Sequence, residues 1–242
     1  MTDHVLEVEG LVAGYSGVPA VHDLTLTVDA GEVVSLLGPN GAGKSTTLLT
    51  IAGSLPALRG AIRLKGAPVR AKAAHHVARL GVSLVPEDRG VFFQLTVAEN
   101  LRVRGSRSHT STDQVYEWFP KLHQIAGRKA GLLSGGEQQI LALGCALMRA
   151  PSLLMIDEMS HGLAPVIVQQ MMPILRTLAD SGTAVLLVEQ HVHAAIGVSD
   201  RVYVLNRGRL MFDGDARTVR ADPRILEESY LGRRTTSDST GF

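Results

Sequence analysis

The 242-residue sequence predicts an α/β fold with buried parallel strands at its centre. Apolar runs at 33–37 and 153–157 lack alternation, which is typical of strands covered on both faces. Two earlier segments, 6–15 and 22–28, alternate apolar and polar residues and predict an antiparallel pair at the N-terminus. The strand pattern disappears between 95 and 150, so we expect a helical insertion in the core.

Local sequence patterns predict the elements of the first half of the core. Residues 44–52 are predicted to form a helix, because Leu48, Leu49 and Ile51 give it an apolar face. A short strand is expected at 61–65, and a buried strand at 81–85 that Pro86 stops.

The insertion is expected to be helical throughout. Thr96 with Glu99 three residues later is a capping-box pattern and predicts a helix start. Further helices are predicted at 114–121 and 135–149, with a polar loop at 104–113 before them.

The core resumes after residue 150. A helix is predicted at 166–179, a strand at 183–189 and a hairpin from 201–206 and 209–213 around Gly208. The whole is expected to form one domain over 4–233, followed by a disordered Ser/Thr-rich tail at 234–242; its predicted parts are a core at about 4–94 and 151–233 and the insertion at about 95–150.

Composition narrows the function classes. The net charge is +1, from 24 basic and 23 acidic residues, so bulk charge gives no reason to expect a nucleic-acid partner. The single cysteine, Cys145, excludes an internal disulfide and is expected to be a small core residue of a chain in a reducing compartment. We expect no signal peptide, and no window approaches the roughly 20 apolar residues of a membrane-spanning helix.

Residues 38–46 match the phosphate-binding pattern G-x-x-x-x-G-K-[ST], between a predicted strand and a predicted helix. Glycines let the backbone curl so that its N–H groups approach phosphate oxygens, and the helix dipole favours the anion. Lys44 is expected to reach the β- and γ-phosphates, and Ser45 to bind Mg²⁺. The predicted ATP contacts in this loop are Gly38, Pro39, Asn40, Gly41, Ala42, Gly43, Lys44, Ser45 and Thr46.

Two carboxylates, Asp157 and Glu158, follow the apolar strand at 153–157. Ligands of open α/β sheets bind beyond the carboxyl ends of the strands, so we expect both acids beside the phosphate loop. Asp157 is predicted to hold Mg²⁺, and Glu158 to activate the attacking water as general base.

The segment Leu-Ser-Gly-Gly-Glu-Gln-Gln at 133–139 precedes a predicted helix, so that its hydroxyl and backbone N–H groups can meet an anion. With the phosphate loop and the acidic strand end, in this order and spacing, it makes residues 4–232 resemble the ATP-binding subunits of ABC transporters. The resemblance implies a RecA-like P-loop NTPase core, ATP hydrolysis and a head-to-tail dimer that encloses two ATP molecules. It also implies that Ser134, Gly135, Gly136 and Glu137 contact ATP across the dimer; Ser134 serves equally as a helix N-cap.

Further site residues are implied by the resemblance. Tyr15 matches the aromatic residue that stacks on adenine, with a surface tyrosine on an edge strand as the alternative. Glu87 stands where the family usually has a glutamine near Mg²⁺, and it can still offer an oxygen. Gln190 stands where a histidine usually contacts the γ-phosphate; either its amide makes that contact, or His191 does after a shift of register.

These departures, with segments such as Val85–Phe92, Gly162–Pro165 and Tyr230–Gly232, resemble the bacterial ATPases of branched-chain amino-acid importers, the LivF type. This implies a peripheral place on the cytoplasmic face of the plasma membrane, two permease chains, a sister ATPase or a second copy, and indirectly an extracytoplasmic binding protein. The permease contact is expected near residues 87–94. Phe92 and Phe93 there either are exposed for a partner or pack against the insertion.

Other functions remain open at this stage. Importers of urea or short amides are related systems, and a lipid-export ATPase shares the same framework. A soluble ABC ATPase of translation or repair usually carries two cassettes or a long coiled coil. A scaffold that uses ATP only to dimerise is disfavoured by the intact Lys44, Asp157 and Glu158.

Overall fold

The computed structural model describes residues 4–69, 74–105, 110–189 and 192–233. The strands are, in chain order, β1 (His4–Tyr15), β2 (Val18–Asp29), β3 (Val33–Leu37), β4 (Ala57–Leu64), β5 (Ala67–Pro68), β6 (Val82–Val85), β7 (Leu153–Asp157), β8 (Ala184–Glu189), β9 (Arg201–Asn206) and β10 (Arg209–Asp215). The helices are α1 (Lys44–Ile51), α2 (Ala74–Arg79), α3 (Val97–Gly105), α4 (Thr112–Trp118), α5 (Pro120–Gln124), α6 (Gly135–Leu147), α7 (Pro165–Asp180), α8 (Val192–Val198), α9 (Ala216–Ala221) and α10 (Arg224–Tyr230), with a 3₁₀ turn at Ala130–Leu132. The predicted tail at 234–242 lies outside the described residues.

The N-terminal sheet is antiparallel, with strand order β2-β1-β4-β5. β1 pairs with β2 from His4↔Asp29 to Tyr15↔Val18, which confirms the predicted pair and lengthens both strands. β4 begins at Ala57, four residues before the predicted start at residue 61, because it continues along β1 as far as Ala13↔Ala57. The alternating side chains of β1 give this sheet one face that packs into the core.

The second sheet has the order β10-β9-β3-β8-β7-β6, with parallel pairing from β9 to β6 and β10 antiparallel at one edge. Every residue of β3, β7 and β8 is buried, as expected for central strands with both faces covered. Parallel pairing brings the carboxyl ends of these three strands together at one edge. The α/β fold predicted from the sequence is thus confirmed, and its strand ends define where a ligand binds.

The segment between β6 and β7 is mainly helical. Thr96 and Glu99 form the predicted N-terminal cap of α3, since Glu99 Oε2 accepts from the Thr96 N–H at 2.8 Å. The single helix predicted at 114–121 is wrong: α4 ends before Phe119, and Pro120 begins α5. Proline lacks an N–H and pushes the residue before it out of the helical region, so Phe119 takes φ −130° and ψ 73°.

Cys145 is the small core residue that the sequence suggests. It lies buried in α6, and burial raises the pKa of its thiol to about 12. Across the part of the chain that the structure describes, no helix combines the length and apolarity needed to cross a bilayer.

Candidate active site

The phosphate loop connects β3 to α1 through glycines at positive φ. Gly38, Gly41 and Gly43 have φ values of 153°, 75° and 101°. A Cβ on Gly38 would lie 2.2 Å from the Leu205 carbonyl oxygen, and one on Gly43 would lie 2.9 Å from the Ala20 carbonyl oxygen. A Cβ on Gly41 would meet no atom within 4 Å, so the middle of the loop is open. Both ends of the loop pack closely against neighbouring backbone, and the middle of the loop is free to accept a ligand.

Lys44 is the first residue of α1 and is buried. Its Nζ donates to the carbonyl oxygens of Gly38 at 2.9 Å and Pro39 at 3.1 Å, and lies 3.7 Å from Glu158 Oε1. The ammonium group therefore lies between the phosphate loop and the acidic end of β7. This is the position from which a lysine can bind phosphate oxygens.

Ser45 joins α1 to β7, because its hydroxyl donates to Asp157 Oδ1 at 3.1 Å. Burial raises the pKa of the Asp157 carboxyl to about 6, and the charges of Glu158 and Glu87 contribute to that rise. The Ser45 hydrogen bond and the charge of Lys44 act in the opposite direction. The carboxylates of Asp157, Glu158 and Glu87 thus lie near one another, and Ser45 and Lys44 only partly stabilise the negative charge of Asp157.

This crowding is where a divalent cation fits. Mg²⁺ prefers hard oxygen ligands, and the Ser45 hydroxyl and the Asp157 carboxylate offer them side by side. Glu87, after β6, lies near enough to raise the pKa of Asp157, which places the third predicted ligand at the same edge. Bound positive charge would relieve the repulsion among these acids.

Glu158 has an unusual backbone conformation. Its φ of 49° lies in the left-handed region, which is strained for a residue with a Cβ. Its N–H donates to the Val188 carbonyl oxygen of β8 at 3.0 Å, and its carboxylate reaches Lys44 and, at 3.7 Å, His161 Nδ1. The turn after β7 thus directs Glu158 toward the lysine of the phosphate loop.

The second predicted phosphate contact begins α6. The Glu137 N–H donates to Ser134 Oγ at 3.3 Å, and the Ser134 N–H donates to Glu137 Oε2 at 2.9 Å. This is a complete capping box, and the Ser134 N–H is the main cause that lowers the pKa of Glu137. Gly136 is close-packed, because a Cβ there would lie 3.1 Å from Ile167 Cγ2. The N-cap interpretation of Ser134 is confirmed, whereas its contact with ATP stays a prediction.

Arg89 connects the loop after β6 to helix α6, a contact that sequence reasoning missed. It has φ 66° in the loop after Glu87, and its guanidinium donates to Gln138 Oε1 at 2.7 Å and Gln139 Oε1 at 3.3 Å. The loop beside the acids is therefore tied to helix α6. Arg89 and Gln138 are 49 residues apart in the chain, and an arginine at positive φ has no local sequence signature, so this contact could not be predicted from the sequence.

The remaining predicted residues divide into three groups. Tyr15 ends β1 with 53% of its surface exposed, which suits both adenine stacking and a surface tyrosine. Phe92 and Phe93 are 47% and 52% exposed, so the exposed alternative is the one found. Gln190 and His191 lie outside the described residues, and their roles stay predictions.

Comparison with known proteins agrees with this geometry. The family model described as "ABC transporter" matches residues 21–161. The chain is 42% identical to the "High-affinity branched-chain amino acid transport ATP-binding protein BraG" of Pseudomonas aeruginosa, over 90% of this chain and 95% of that protein. It is 35% identical to the "Probable branched-chain amino acid transport ATP-binding protein LivF" of Archaeoglobus fulgidus, over 85% of this chain and 90% of that protein.

A relative with lower sequence identity is named for a different transport system. The "Lipopolysaccharide export system ATP-binding protein LptB" of Escherichia coli is 31% identical over 94% of this chain and 97% of that protein.

A solved structure described as "Structure of ATP binding subunit of ABC transporter" has a TM-score of 0.81 and 28% identity, and the match covers 94% of this chain and 98% of that one. The phosphate loop, the acidic strand end and these likenesses agree: the chain belongs to the ABC transporter family, as a nucleotide-binding ATPase domain that hydrolyses ATP.

Proposed function

We propose that this chain is the ATP-binding subunit of an importer for branched-chain amino acids. The observation that carries the proposal is the 42% identity to BraG over nearly the full length of both chains, because the identity to LptB is 31% over a similar span. Cargo selection would lie in partner proteins, since the candidate site is built for a nucleotide. The task of this chain is to convert ATP hydrolysis into movement of those partners.

Nucleotide binding is assigned to the phosphate loop. The open centre of the loop at Gly41 admits the phosphates, and the buried Lys44 reaches the β- and γ-phosphate oxygens from its place beside Glu158. Exposed Tyr15 stacks on adenine. We assign Mg²⁺ to Ser45, Asp157 and Glu87, where it neutralises charge on the phosphates.

Hydrolysis is assigned to Glu158. Its carboxylate is held between Lys44 and His161, and as general base it takes a proton from the water that attacks the γ-phosphate. Gln190, or alternatively His191, contacts the γ-phosphate from the end of β8. Across a head-to-tail dimer, the segment of the second ATPase that corresponds to residues 134–137 of this chain completes the site, so the dimer closes with ATP and opens after hydrolysis.

An exposed apolar pair, Phe92 and Phe93, supports the assignment of permease partners. Asn100 fixes the backbone of Phe92, because its side chain accepts from the Phe92 N–H at 2.8 Å and donates to the Phe92 carbonyl at 3.0 Å. The Arg104 guanidinium lies 5.4 Å from the centre of the Phe92 ring. A half-exposed apolar pair of this kind suits a docking surface for a permease. We therefore assign the chain to the cytoplasmic face of the membrane, bound to two permeases and to a sister ATPase or a second copy.

The role of Glu158 is tested by Glu158→Gln. The amide keeps the shape but cannot take the proton, so we expect ATP turnover to fall by at least about 100-fold while ATP stays bound and the dimer is trapped. Steady-state phosphate release and size-exclusion chromatography with ATP measure the two effects. Turnover at the normal rate would exclude Glu158 as the base.

The transport role is tested by recovery of the tagged chain from gently solubilised membranes with Mg-ATP. Two multi-span permeases and a second cassette protein, next to a binding protein that responds to leucine, isoleucine or valine, would support the proposal. A binding protein that responds only to urea or amides would redirect the cargo. Lipid-export components would favour the LptB-like alternative, and only soluble partners would contradict a transport function.

A further inference from the structure

The acidic residue that ends β8 lies beneath the turn that carries Glu158. Glu189 has no exposed surface, and Ser160, in the turn after β7, is 4% exposed. The Ser160 N–H donates to Glu189 Oε1 at 2.9 Å, and the Ser160 hydroxyl donates to Glu189 Oε2. One serine therefore supplies a hydrogen bond to each oxygen of a buried carboxylate, which is costly to bury without such donors.

The position of Glu189 in the sheet connects the Ser160–Glu189 pair to the candidate active site. Glu189 pairs with Leu37, the residue before Gly38 of the phosphate loop. Its neighbour Val188 pairs with Asp157 and accepts the Glu158 N–H at 3.0 Å. The end of β8 therefore holds the turn after β7 at two points, through the Val188 carbonyl and through the Glu189 carboxylate.

The turn needs such support because it is strained. Glu158, with φ 49°, is in the left-handed region, which is strained for a residue with a side chain. The next bonds continue the turn, since the His161 N–H donates to the Glu158 carbonyl at 3.2 Å and the Leu163 N–H donates to the Ser160 carbonyl at 3.1 Å. Ser160 lies in the middle of these bonds, so fixing it fixes the direction in which Glu158 leaves the strand.

We propose that Glu189 is a positioning residue for ATP hydrolysis, which holds Glu158 in its catalytic orientation by clamping Ser160. The inference rests on the proposed role of Glu158 as the base. Glu189 does not touch the reacting atoms; it acts through the turn. Glu189 also directly precedes Gln190, the predicted γ-phosphate contact, in the sequence.

The test compares Ser160→Ala with Ser199→Ala in the full chain supplied with Mg-ATP. Ser199 is the control, because it is also 4% exposed and its hydroxyl is hydrogen-bonded to the Ala195 carbonyl at 2.8 Å and to the Ser35 hydroxyl at 2.6 Å. We expect Ser160→Ala to lower kcat about 10-fold with ADP affinity within about twofold, since a small misplacement of a catalytic group costs that much or more. Ser199→Ala is expected to keep kcat within about twofold.

A second variant guards against misfolding and separates positioning from general stability. Glu189→Gln keeps the shape and one acceptor, so we expect a loss of about threefold in kcat. If the two residues act as one clamp, the double variant loses about as much as Ser160→Ala alone rather than the product of the two losses. Losses that multiply, or a normal kcat in both single variants, would overturn the inference.

Glu158→Gln in the same assay separates the two possible failures. Slow turnover in Glu158→Gln together with normal turnover in Ser160→Ala would contradict the proposed role of Glu189 and leave the assignment of Glu158 as the base intact. Normal turnover in Glu158→Gln would contradict the base assignment and, with it, the proposed role of Glu189.

Discussion

Two helix N-termini of this molecule are predicted to face phosphate, and they are built in opposite ways. Helix α1 begins after Gly43, at φ 101°, and no described side chain caps it. Helix α6 begins after Ser134, with both bonds of a capping box in place. The first N–H groups of a helix need partners. Helix α1 leaves its own for a ligand, whereas in α6 the Ser134 side chain already accepts the Glu137 N–H.

The starts of α1 and α6 also differ in their surroundings, because the first is buried among charged groups and the second is exposed to solvent. Lys44 at the start of α1 is 4% exposed, close to Glu158 and to the Ser45–Asp157 pair. Ser134 at the start of α6 is exposed. A helix end whose N–H groups lack partners suits the subunit that holds the nucleotide. A helix end that is already capped can remain in solvent, which fits the proposal that a second subunit brings phosphate to it.

The largest expected effect comes from breaking the α1 end. Lys44→Ala removes the buried cation between the phosphate loop and Glu158, so we expect ATP affinity and hydrolysis each to fall by about 100-fold or more. Nucleotide titration and phosphate release measure both. Lys129→Ala, which removes an exposed lysine near α6, is the control and is expected to change neither. Unchanged affinity in Lys44→Ala would show that the two helix ends do not differ as we describe.

A smaller and more selective effect is expected at the α6 end from Ser134→Asp. Aspartate caps a helix as well as serine does, so the melting temperature should change little, but its charge opposes a phosphate from the second subunit. We expect ADP affinity to stay within about twofold while ATP-driven dimerisation is lost and turnover falls about 10- to 100-fold.

Ser111→Asp is the matched control for that variant. Ser111 caps α4 by accepting the Gln114 N–H at 3.1 Å, and no phosphate is expected there. Dimerisation and turnover should remain normal. Normal dimerisation in Ser134→Asp as well would mean that α6 does not meet the partner's nucleotide.

The sequence allowed the α1 end to be predicted because all its determinants are local. The glycines, Lys44 and Ser45 fall within nine residues, between an apolar strand and a helix, and the structure places them there. The capping box of α6 was equally local. By contrast, the helix predicted over 114–121 failed at Pro120, where the apolar pattern continues but the backbone cannot.

Contacts set by the sheet order could not be predicted in this way. Ser160 and Glu189 are 29 residues apart, and Arg89 and Gln138 are 49 apart. Ser160 and Glu189 meet because β7 and β8 are neighbours in the sheet, and Arg89 and Gln138 meet because α6 packs against β6. No local sequence pattern predicts either arrangement. The motif thus identifies the groups that touch the nucleotide, and the fold identifies the groups that hold them.

The last predicted effect concerns stability and pH, because the pKa values of the acids at the two ends shift in opposite directions. Burial raises the pKa of Asp157 to about 6, whereas the Ser134 N–H lowers that of Glu137. Between about pH 4 and 6 the folded, metal-free protein binds more protons at Asp157 than the unfolded chain, so this group costs stability as the pH rises. Glu137 instead contributes stability above its unfolded pKa of about 4.5, which is lost as the pH falls through its lowered folded value.

Thermal unfolding of the metal-free protein at pH 4.5 and 7.5 checks both signs. Asp157→Asn should keep the Ser45 contact and raise the melting temperature at pH 7.5 by several degrees, corresponding to about 2–3 kcal/mol at most, with less gain at pH 4.5. Glu137→Gln should lower it slightly at pH 7.5 and hardly at all at pH 4.5. If Asp157→Asn were destabilising at pH 7.5 without metal, the buried charge would already be compensated within the chain. The nucleotide end would then be as self-sufficient as the α6 end, and the contrast between them would be lost.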